Sequence, residues 1–251
     1  MRVQDLVCVS TKETKKYLLP ISDVHWGAKT CNKEKFKGYL SWALEHNAWI
    51  VLLGDLIDNS NRASVGGGVY EQELQPQEQA DQIIELLQPL AKKKLILGSV
   101  CGNHEERTFK DTGFDIAYYM ARTLGVPYMR YSGLFKLRVG PVNYTVFGVH
   151  GSAGSKFLRT KMASCEALSN IALADIYLYG HVHELATWQT NYYYVDLKNK
   201  QKKQARRTFV LTGTFQEYFG TYADAQNLVP GKTGAARIRL NGNKNDTHVS
   251  I

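Results

Sequence analysis

The sequence predicts an α/β fold: a four-layer α-β-β-α sandwich in which two mixed sheets pack face to face and helices flank them. Three observations lead to this prediction. Six strand-like runs are almost continuously apolar, as in strands covered on both faces. Segments with helical periodicity separate these runs, which indicates a layered α/β fold. Two later segments alternate apolar and polar residues, which predicts amphipathic strands of a second sheet.

The apolar runs define the predicted strands. They cover residues 17–22, 49–53, 95–100, 144–149, 176–179 and 208–212. Pro20 interrupts the first run. Because proline cannot donate a backbone hydrogen bond, we expect this strand to be weakened or to lie near a sheet edge.

Four segments carry apolar residues at helical spacing, and they cover residues 33–46, 77–90, 114–124 and 165–173. Asp111 and Thr112 offer a cap for the third of these helices. The alternating segments 134–139 and 236–240 are expected in the second sheet, and the polar tail after Asn241 is expected to be frayed. No linker-like segment divides the chain, so we expect one domain over residues 1–251.

Composition excludes several classes of protein. Of the 251 residues, 44% are hydrophobic and 22% are charged, which is typical of a globular domain and not of a disordered chain. The longest apolar stretch, residues 48–57, is shorter than the roughly 20 residues of a membrane span. The first residues lack the apolar core of a secretory signal, and the four cysteines form no Cys-x-x-Cys pair. We therefore expect a cytoplasmic protein with no membrane partner, while its oligomeric state stays open.

Histidines are concentrated at the ends of predicted strands. Five of the seven, His25, His104, His150, His181 and His183, follow a strand and stand beside Asp, Asn or Gly. The carboxyl ends of strands in an α/β sheet converge on one crevice. The sequence therefore predicts a cluster of nitrogen and oxygen ligands at one edge of the fold.

Spacing within this cluster indicates a metal site. Asp23 and His25 stand two residues apart, and so do His181 and His183. Side chains two residues apart point the same way in an extended chain, so we expect each pair to hold one cation. A buried group of carboxylates and imidazoles is costly without a cation. The number of ligands exceeds what one divalent ion accepts while keeping a position open for substrate, and two ions that share Asp55 fit better.

Five short motifs follow one another between residues 23 and 183. In chain order they are Asp-x-His, Gly-Asp, Gly-Asn-His-Glu, His-Gly and Gly-His-x-His. Five such motifs in this order resemble the calcineurin-like metallophosphoesterase superfamily. The resemblance implies a hydrolase with a hydroxide bridging two divalent ions, with Asp55 shared between them. It implies that Asp23, His25, Asp55 and His183 bind the first ion, and that Asp55, Asn103, His150 and His181 bind the second. It also implies that His104 acts near the leaving group and that Asp58 orients His104.

The mixed nitrogen and oxygen ligand set suits manganese, iron or zinc better than calcium or magnesium, and we favour manganese.

Each motif alone has a simpler interpretation. His150 fits a structural histidine, His104 fits a helix cap, and Asp58 fits an N-cap. Packing has no reason to repeat this chemistry at five strand ends, so the whole series favours a dimetal site.

The substrate is less determined by the sequence. Asn59 stands where the phosphoprotein phosphatases of this superfamily carry an arginine that grips phosphate. The chain has 31 Lys and Arg against 23 Asp and Glu, and this net charge of +8 favours polyanions but also fits a merely soluble basic protein. We expect a phosphodiesterase or nuclease acting on nucleic acid or nucleotides. A phosphomonoesterase acting on small molecules or proteins, and a catalytically silent nucleic-acid-binding subunit, stay open as alternatives.

Several basic residues are candidates for contact with substrate. Arg62 begins a glycine-containing segment, residues 62–70, that is expected to act as a lid, and Lys156 and Arg159 follow His150. Six of the ten residues 198–207 are Lys or Arg. They fit either a solvated hairpin turn or a contact with a nucleic-acid backbone, with the nearby tyrosines stacking on bases.

Overall fold

The structure is a computed structural model that describes residues 3–61, 64, 70, 72–152 and 154–251. Two mixed β-sheets pack face to face between helices, which confirms the predicted fold class. The strands are β1 (Leu6–Thr11), β2 (Lys15–Ile21), β3 (Trp49–Leu53), β4 (Ile96–Val100), β5 (Tyr128–Arg130), β6 (Ser132–Val139), β7 (Val142–Val149), β8 (Ile176–Tyr179), β9 (Leu185–Asp196), β10 (Gln201–Thr214), β11 (Gly234–Ala235), β12 (Arg237–Asn241) and β13 (Thr247–Ser250). The helices are α1 (Lys33–Glu45), α2 (Pro76–Lys92), α3 (Asn103–Thr112), α4 (Ile116–Leu124), α5 (Leu158–Ala167) and α6 (Tyr222–Ala225).

Both sheets are mixed and contain a block of neighbouring parallel strands. The six-stranded sheet has the order β13-β12-β2-β3-β4-β5, in which β2 to β5 are parallel. The seven-stranded sheet has the order β1-β6-β7-β8-β10-β11, and β9 pairs with β10. Its strands β7, β8 and β10 are parallel. Every predicted ligand follows one of these parallel strands, namely β2, β3, β4, β7 or β8.

Alternation along β8 shows how the layers are arranged. Ile176 and Leu178 belong to the main core together with residues of the six-stranded sheet, whereas Tyr177 and Tyr179 pack on the other face with Cys165 of α5. Successive side chains of a strand point to opposite faces. The main core therefore lies between the sheets, and α5 covers the outer face of the seven-stranded sheet. Helices α1, α2 and α4 join the main core from its other side.

Two expectations about the edges of the six-stranded sheet are wrong. Strand β2, which contains Pro20, lies between β12 and β3 and is not an edge strand. Its pairing with β12 ends at Leu18, so that side of β2 needs no donor at Pro20. The tail after Asn241 is not frayed, because β13 pairs with β12 along Thr247–Ser250. The polar side chains of this segment gave no sign in the sequence that its backbone pairs as a regular strand.

The later helices also differ from expectation. Helix α5 begins at Leu158, well before the predicted segment 165–173, and a 3₁₀ turn, Leu168–Asn170, follows it. Its first turns are mostly exposed, and the residue that they bury is Lys161, which is not apolar. Asp111 and Thr112 lie within α3 and cap nothing, whereas Asp115 caps α4 by accepting a hydrogen bond from the Tyr118 N–H at 2.9 Å.

The two alternating segments belong to different sheets, which corrects the prediction that they share one. Residues 134–139 lie in β6 of the seven-stranded sheet, and residues 236–240 overlap β12 of the six-stranded sheet. Alternation indicates that one face of a strand is exposed, and each sheet has such strands.

Two further features bear on the expected location of the protein. No helix in the described part of the chain has the length and apolar character to cross a membrane, and all four cysteines are free thiols.

A two-stranded ribbon, defined here as residues 190–207, extends beyond the seven-stranded sheet. β9 and β10 pair along this whole length, whereas β8 pairs with β10 only from Thr208 to Leu211. The basic segment 198–207 therefore lies mostly in strand β10 and not in a turn. Because β10 runs parallel to β8 and the ribbon precedes this pairing, the ribbon projects from the end of the sheet opposite the predicted ligands.

Candidate metal centre

The seven predicted ligands lie at the carboxyl ends of parallel strands from both sheets. In the six-stranded sheet, Asp23 and His25 follow β2, Asp55 follows β3 and Asn103 follows β4; in the seven-stranded sheet, His150 follows β7 and His181 and His183 follow β8. Strand ends of parallel neighbours meet at one edge. Packing the sheets face to face brings the two edges together, and all seven side chains meet there.

One group of ligand atoms consists of Asp23, His25 and His183. A potential ligand atom from each residue lies within 4.8 Å of the other two. The Nε2 atom of His183 is 3.3 Å from Oδ1 of Asp23 and 3.1 Å from Nε2 of His25. A single cation therefore fits between one carboxylate oxygen and two imidazole nitrogens.

A second group consists of Asp55, His150 and His181, whose ligand atoms also lie within 4.8 Å of one another. Asn103 completes this group. Its Oδ1 atom is 2.9 Å from Nε2 of His150 and 2.7 Å from Nδ1 of His181. An amide oxygen, a carboxylate and two imidazoles thus converge on one point.

Asp55 connects the two groups. Its Oδ2 atom is 3.3 Å from Nε2 of His150 in the second group and 4.0 Å from Nε2 of His25 in the first. Its other oxygen, Oδ1, accepts a hydrogen bond from the His104 N–H at 2.8 Å. That bond fixes the carboxylate, so Oδ2 faces both groups at once.

Unsatisfied polar atoms in this cluster fit bound cations. Asp23 is fully buried, and its Oδ2 atom accepts hydrogen bonds from Ser22 Oγ at 2.5 Å and from the His181 N–H at 2.9 Å. Within the described residues, Oδ1 of Asp23 has no hydrogen-bond partner. A buried acceptor without a partner costs about 1–3 kcal/mol or more, and a cation held by the first group would satisfy it. The Nδ1 atom of His150 lies 2.7 Å from the Leu53 carbonyl oxygen, which directs Nε2 towards the cluster.

The backbone at the ligands differs from the expected extended geometry. Asp23, His25, Asp55, His181 and His183 all have positive φ, between +50° and +66°. Left-handed backbone is uncommon outside glycine and concentrates at functional sites. The side chains converge because each strand turns sharply at its end, and not because the two pairs continue as strands.

Buried Glu105 holds the turn after β3. Its carboxylate accepts hydrogen bonds from the backbone N–H groups of Asp55 at 2.9 Å, Leu56 at 2.7 Å and Gly102 at 3.0 Å. Gly54 permits this arrangement, since a Cβ there would stand 2.3 Å from the Gly102 nitrogen. The glutamate of the Gly-Asn-His-Glu motif therefore ties the turns after β3 and β4 together.

A buried lysine supports the turn after β8. Lys161 of α5 donates a hydrogen bond to the Val182 carbonyl oxygen at 3.1 Å and pairs with Glu184 at 2.9 Å. Val182 lies between the two histidine ligands of this turn. Lys161 therefore supports the turn that carries His181 and His183, a role that the sequence did not suggest.

His104 forms a third candidate ligand group with His25 and Asp55, whose ligand atoms lie within 4.8 Å of one another. The resemblance implies that His104 stays off the metal ions, and its hydrogen bond to Asp58 differs from expectation. The Nδ1 atom of His104 is 2.5 Å from the backbone carbonyl oxygen of Asp58, which can only accept a hydrogen bond. The Asp58 carboxylate is 3.7 Å from Nδ1 of both His104 and His25, and it accepts a hydrogen bond from Ser60 at 2.7 Å. The main chain of Asp58 thus makes the hydrogen bond to His104, while its carboxylate lies at ion-pair distance from the same nitrogen.

Arg107 is a site residue that the sequence analysis missed. It lies one turn after His104 on α3, and its Nη1 and Nη2 atoms are each 3.0 Å from one ring nitrogen of His104. Among the described residues, no carboxylate forms a salt bridge with it. Its spacing in the sequence could have identified it, because Arg107 stands three residues after His104 and residues three apart share a helix face. A cation beside His104 is suited to hold an anionic substrate.

Charges within the cluster shift the pKa values of its members. Burial opposes protonation of His150, but the neighbouring Asp55 carboxylate outweighs burial and raises the His150 pKa to about 10. Burial also opposes ionisation of Asp55, yet His150 and His104 hold the pKa of its carboxyl well below its usual value. For His104, burial prevails and lowers the pKa to about 4. A divalent ion at this position would replace the proton on His150.

An open cleft of about 570 Å³ leads to the cluster. His25, Asp55, His104 and His181 line it, together with Arg107. Of the residues expected to contact substrate, Lys156 lines the cleft and donates a hydrogen bond to the Gln226 carbonyl oxygen at 2.7 Å. The exposed Arg159 is not among the described residues that line it. Arg62 and most of the expected lid, residues 62–70, lie outside the described residues.

Solved structures with a similar chain trace have low sequence identity to this chain. A predicted phosphoesterase from Streptococcus pneumoniae is 14% identical, with 94% of this chain and 88% of that chain covered and a TM-score of 0.43. A Thermotoga maritima protein solved by NMR is 14% identical over 94% of this chain and 98% of its own, with a TM-score of 0.37. A Vps29 double mutant from Entamoeba histolytica is 15% identical, with 80% of this chain and 97% of that chain covered and a TM-score of 0.34.

No curated protein matches the chain significantly. The family model of calcineurin-like phosphoesterases, however, matches residues 18–185, which is more than half of the chain and spans all seven candidate ligands. The chain therefore belongs to the calcineurin-like phosphoesterases, a family of metal-dependent hydrolases of phosphate esters.

Proposed function

We propose that this protein is a dimetal phosphodiesterase that acts on nucleic acid or nucleotides. One observation carries the dimetal part of this proposal: two separate ligand groups meet at a single carboxylate oxygen of Asp55. Asp23, His25 and His183 with Asp55 would hold one ion, and Asn103, His150 and His181 with Asp55 would hold the other.

Two divalent ions in these positions would activate water and stabilise the charge that develops at phosphorus during an in-line displacement. The surrounding residues bind and orient the substrate. Arg107 offers two N–H groups to non-bridging phosphate oxygens. His104 stands beside Asp55, with its Nε2 atom 3.8 Å from Oδ2. The negative charge of a phosphate bound in the cleft would raise the pKa of His104 from about 4, and His104 would then be placed to give a proton to the departing oxygen. Its Nδ1 contact with the Asp58 carbonyl oxygen fixes the ring for this role.

The position of the missing phosphatase arginine supports a diester substrate. Asn59 occupies it, and its amide donates a hydrogen bond to the His104 carbonyl oxygen at 2.5 Å while its side-chain oxygen accepts one from Thr108 at 3.0 Å. Asn59 is buried and ties its turn to α3 instead of facing substrate. The cleft therefore has no cation at that position and relies on Arg107 beside His104, and a monoanionic diester needs fewer positive charges than a dianionic monoester.

An activity panel with manganese tests the proposal. Chelator-treated protein reloaded with Mn²⁺ should hydrolyse bis(p-nitrophenyl) phosphate faster than p-nitrophenyl phosphate. The Asp55→Asn variant should lose activity by at least about 100-fold, since one shared ligand is lost from both ions. Metal content per chain, measured by elemental analysis, should fall from two ions towards one or none in this variant.

The possible outcomes separate the alternatives. Faster hydrolysis of the monoester would indicate a phosphomonoesterase instead. Two bound ions without hydrolysis of either ester or of DNA and RNA would indicate a catalytically silent subunit. Full activity of Asp55→Asn would contradict the shared ligand.

A further inference from the structure

A second groove opens on the other side of the metal centre. It has a volume of about 440 Å³, and Asn103 lines both this groove and the first cleft. His150 lines only the second groove, whereas His104 and Arg107 line only the first cleft. The two spaces therefore meet at the second ligand group and leave it in different directions.

The walls of the second groove are apolar and aromatic. Tyr131, before β6, and Ile171, after the 3₁₀ turn, line it although they are 56% and 72% exposed. Buried Leu168 lines the groove as well. Its inner wall is formed where Gly151 passes over Tyr179, so closely that a Cβ at Gly151 would stand 2.4 Å from the ring. Exposed large apolar side chains that border a groove are typical of ligand sites.

Tyr131 is held in place despite its exposure. Its hydroxyl donates a hydrogen bond to Glu106 at 3.2 Å and accepts one from Arg130 at 3.0 Å, and the Arg130 guanidinium lies 4.8 Å from the ring centroid. A fixed aromatic ring loses little freedom when a flat ligand stacks on it. The Glu106 carboxylate also pairs with Lys110 at 3.0 Å, so it is already neutralised and the ring offers a surface for stacking.

We propose that the second groove binds the nucleoside that remains esterified to phosphorus, with its base against Tyr131. This inference rests on the proposed function. His104 lines the first cleft and places the departing oxygen on that side. In an in-line displacement the retained ester oxygen is equatorial, so its organic group leaves phosphorus sideways, and the second groove is the other space that opens at this centre. A phosphodiester has two organic groups and a phosphomonoester has one, and the two spaces at this centre match the diester.

Two diesters with the same leaving group test the proposal on the Mn²⁺-loaded protein. Thymidine 5′-(p-nitrophenyl phosphate) carries a nucleoside as its retained group, and methyl p-nitrophenyl phosphate carries only a methyl group. Tyr131→Ala should lower kcat/KM about tenfold for the thymidine ester, which is the order expected for loss of one base-stacking contact. It should change kcat/KM for the methyl ester less than twofold, and Tyr131→Phe should retain activity on both.

Tyr193→Ala is the matched control, because Tyr193 is 64% exposed and lies on the ribbon away from the centre. It should leave both substrates unaffected. An equal loss on both esters in Tyr131→Ala would assign Tyr131 a structural role and overturn the proposal, as would no loss on either.

Binding provides a readout that does not depend on turnover. Calorimetry should show that Tyr131→Ala weakens binding of thymidine 5′-monophosphate about tenfold and leaves binding of inorganic phosphate unchanged. If the wild-type protein hydrolyses neither diester, the proposed function fails, and this binding comparison alone decides whether the groove takes a nucleoside. Equal weakening for both ligands, or none, would refute it.

Discussion

At the scale of single residues, the metal centre depends on the contact between Asp55 and His150. The carboxylate raises the pKa of His150 from 6.5 to about 10 despite burial. Folding therefore binds a proton at His150 more tightly than the unfolded chain does. This contribution to stability is complete below pH 6.5 and is lost as the pH rises towards 10. Metal ions need the same nitrogen without its proton.

We therefore expect the metal-free protein to lose stability between pH 7 and 8.5, by up to about 1.4 kcal/mol per pH unit for one proton. Urea unfolding followed by circular dichroism measures this free energy. The Mn²⁺-loaded protein should not show this loss, because a bound ion replaces the proton. His150→Asn should give a shallower slope without metal, and an unchanged slope would contradict the assignment.

Arg107 is the residue that we expect to hold substrate phosphate. Replacing it with methionine keeps the length of the side chain and removes the charge. Since a hydrogen bond to a charged group contributes about 1.5–3 kcal/mol, Arg107→Met should raise KM for bis(p-nitrophenyl) phosphate by roughly 10- to 100-fold. Inhibition by inorganic phosphate should weaken in parallel.

Arg122→Met is the control for this prediction, because Arg122 lies exposed in the last turn of α4 and does not line the cleft. It should leave KM and phosphate inhibition unchanged. A fall in kcat for Arg107→Met with no change in KM would indicate instead that Arg107 only supports the His104 ring.

The ligand residues could be predicted because their types and order carry the chemistry, but their geometry could not. Nothing in the pattern Asp-x-His distinguishes an extended chain from one in which both residues are left-handed, as Asp23 and His25 are. The carboxylate of Asp58 was expected to orient His104; it lies 3.7 Å from Nδ1 of His104, and the main chain of Asp58 makes the hydrogen bond. Main-chain acceptors leave no mark on residue identity, so such contacts escape analysis of a single sequence.

At the scale of elements, burial decides what the sequence reveals. β3 and β8 match their predicted bounds, because all their residues are buried and form unbroken apolar runs. Helix α3 was missed, since Glu105 is its only buried residue and Phe109, which is exposed, is its only apolar one. This helix begins within the Gly-Asn-His-Glu motif, where its first residues supply Asn103 and His104. Helices built around chemistry instead of the core lack the apolar period that identifies them.

At the scale of the whole molecule, the ribbon and the metal centre occupy opposite ends of the seven-stranded sheet. A strand advances about 3.3 Å per residue, so the tip of the ribbon lies on the order of 40 Å from the end of β10 at Thr214. The ribbon carries six Lys and Arg residues between positions 198 and 207. Lys203 pairs with Asp196, and the Arg207 guanidinium lies 4.1 Å from the centroid of the Tyr192 ring. Direct contact with the reacting phosphate is excluded by this distance, but contact with a distant part of a polynucleotide is not.

A triple variant separates a nucleic-acid contact from a solvated hairpin. Changing Lys198, Lys200 and Lys202 to glutamine should weaken single-stranded DNA binding, because each lost phosphate contact removes about 0.7 from the slope of log K against log salt. Hydrolysis of bis(p-nitrophenyl) phosphate should stay unchanged, since that small substrate does not reach the ribbon. The matched control changes Lys92, Lys93 and Lys94, three exposed lysines at the end of α2, to glutamine. Fluorescence anisotropy over a salt series measures both variants. Equal losses in the two variants would show that only net charge matters, and no loss in the ribbon variant would leave residues 198–207 as a solvated hairpin.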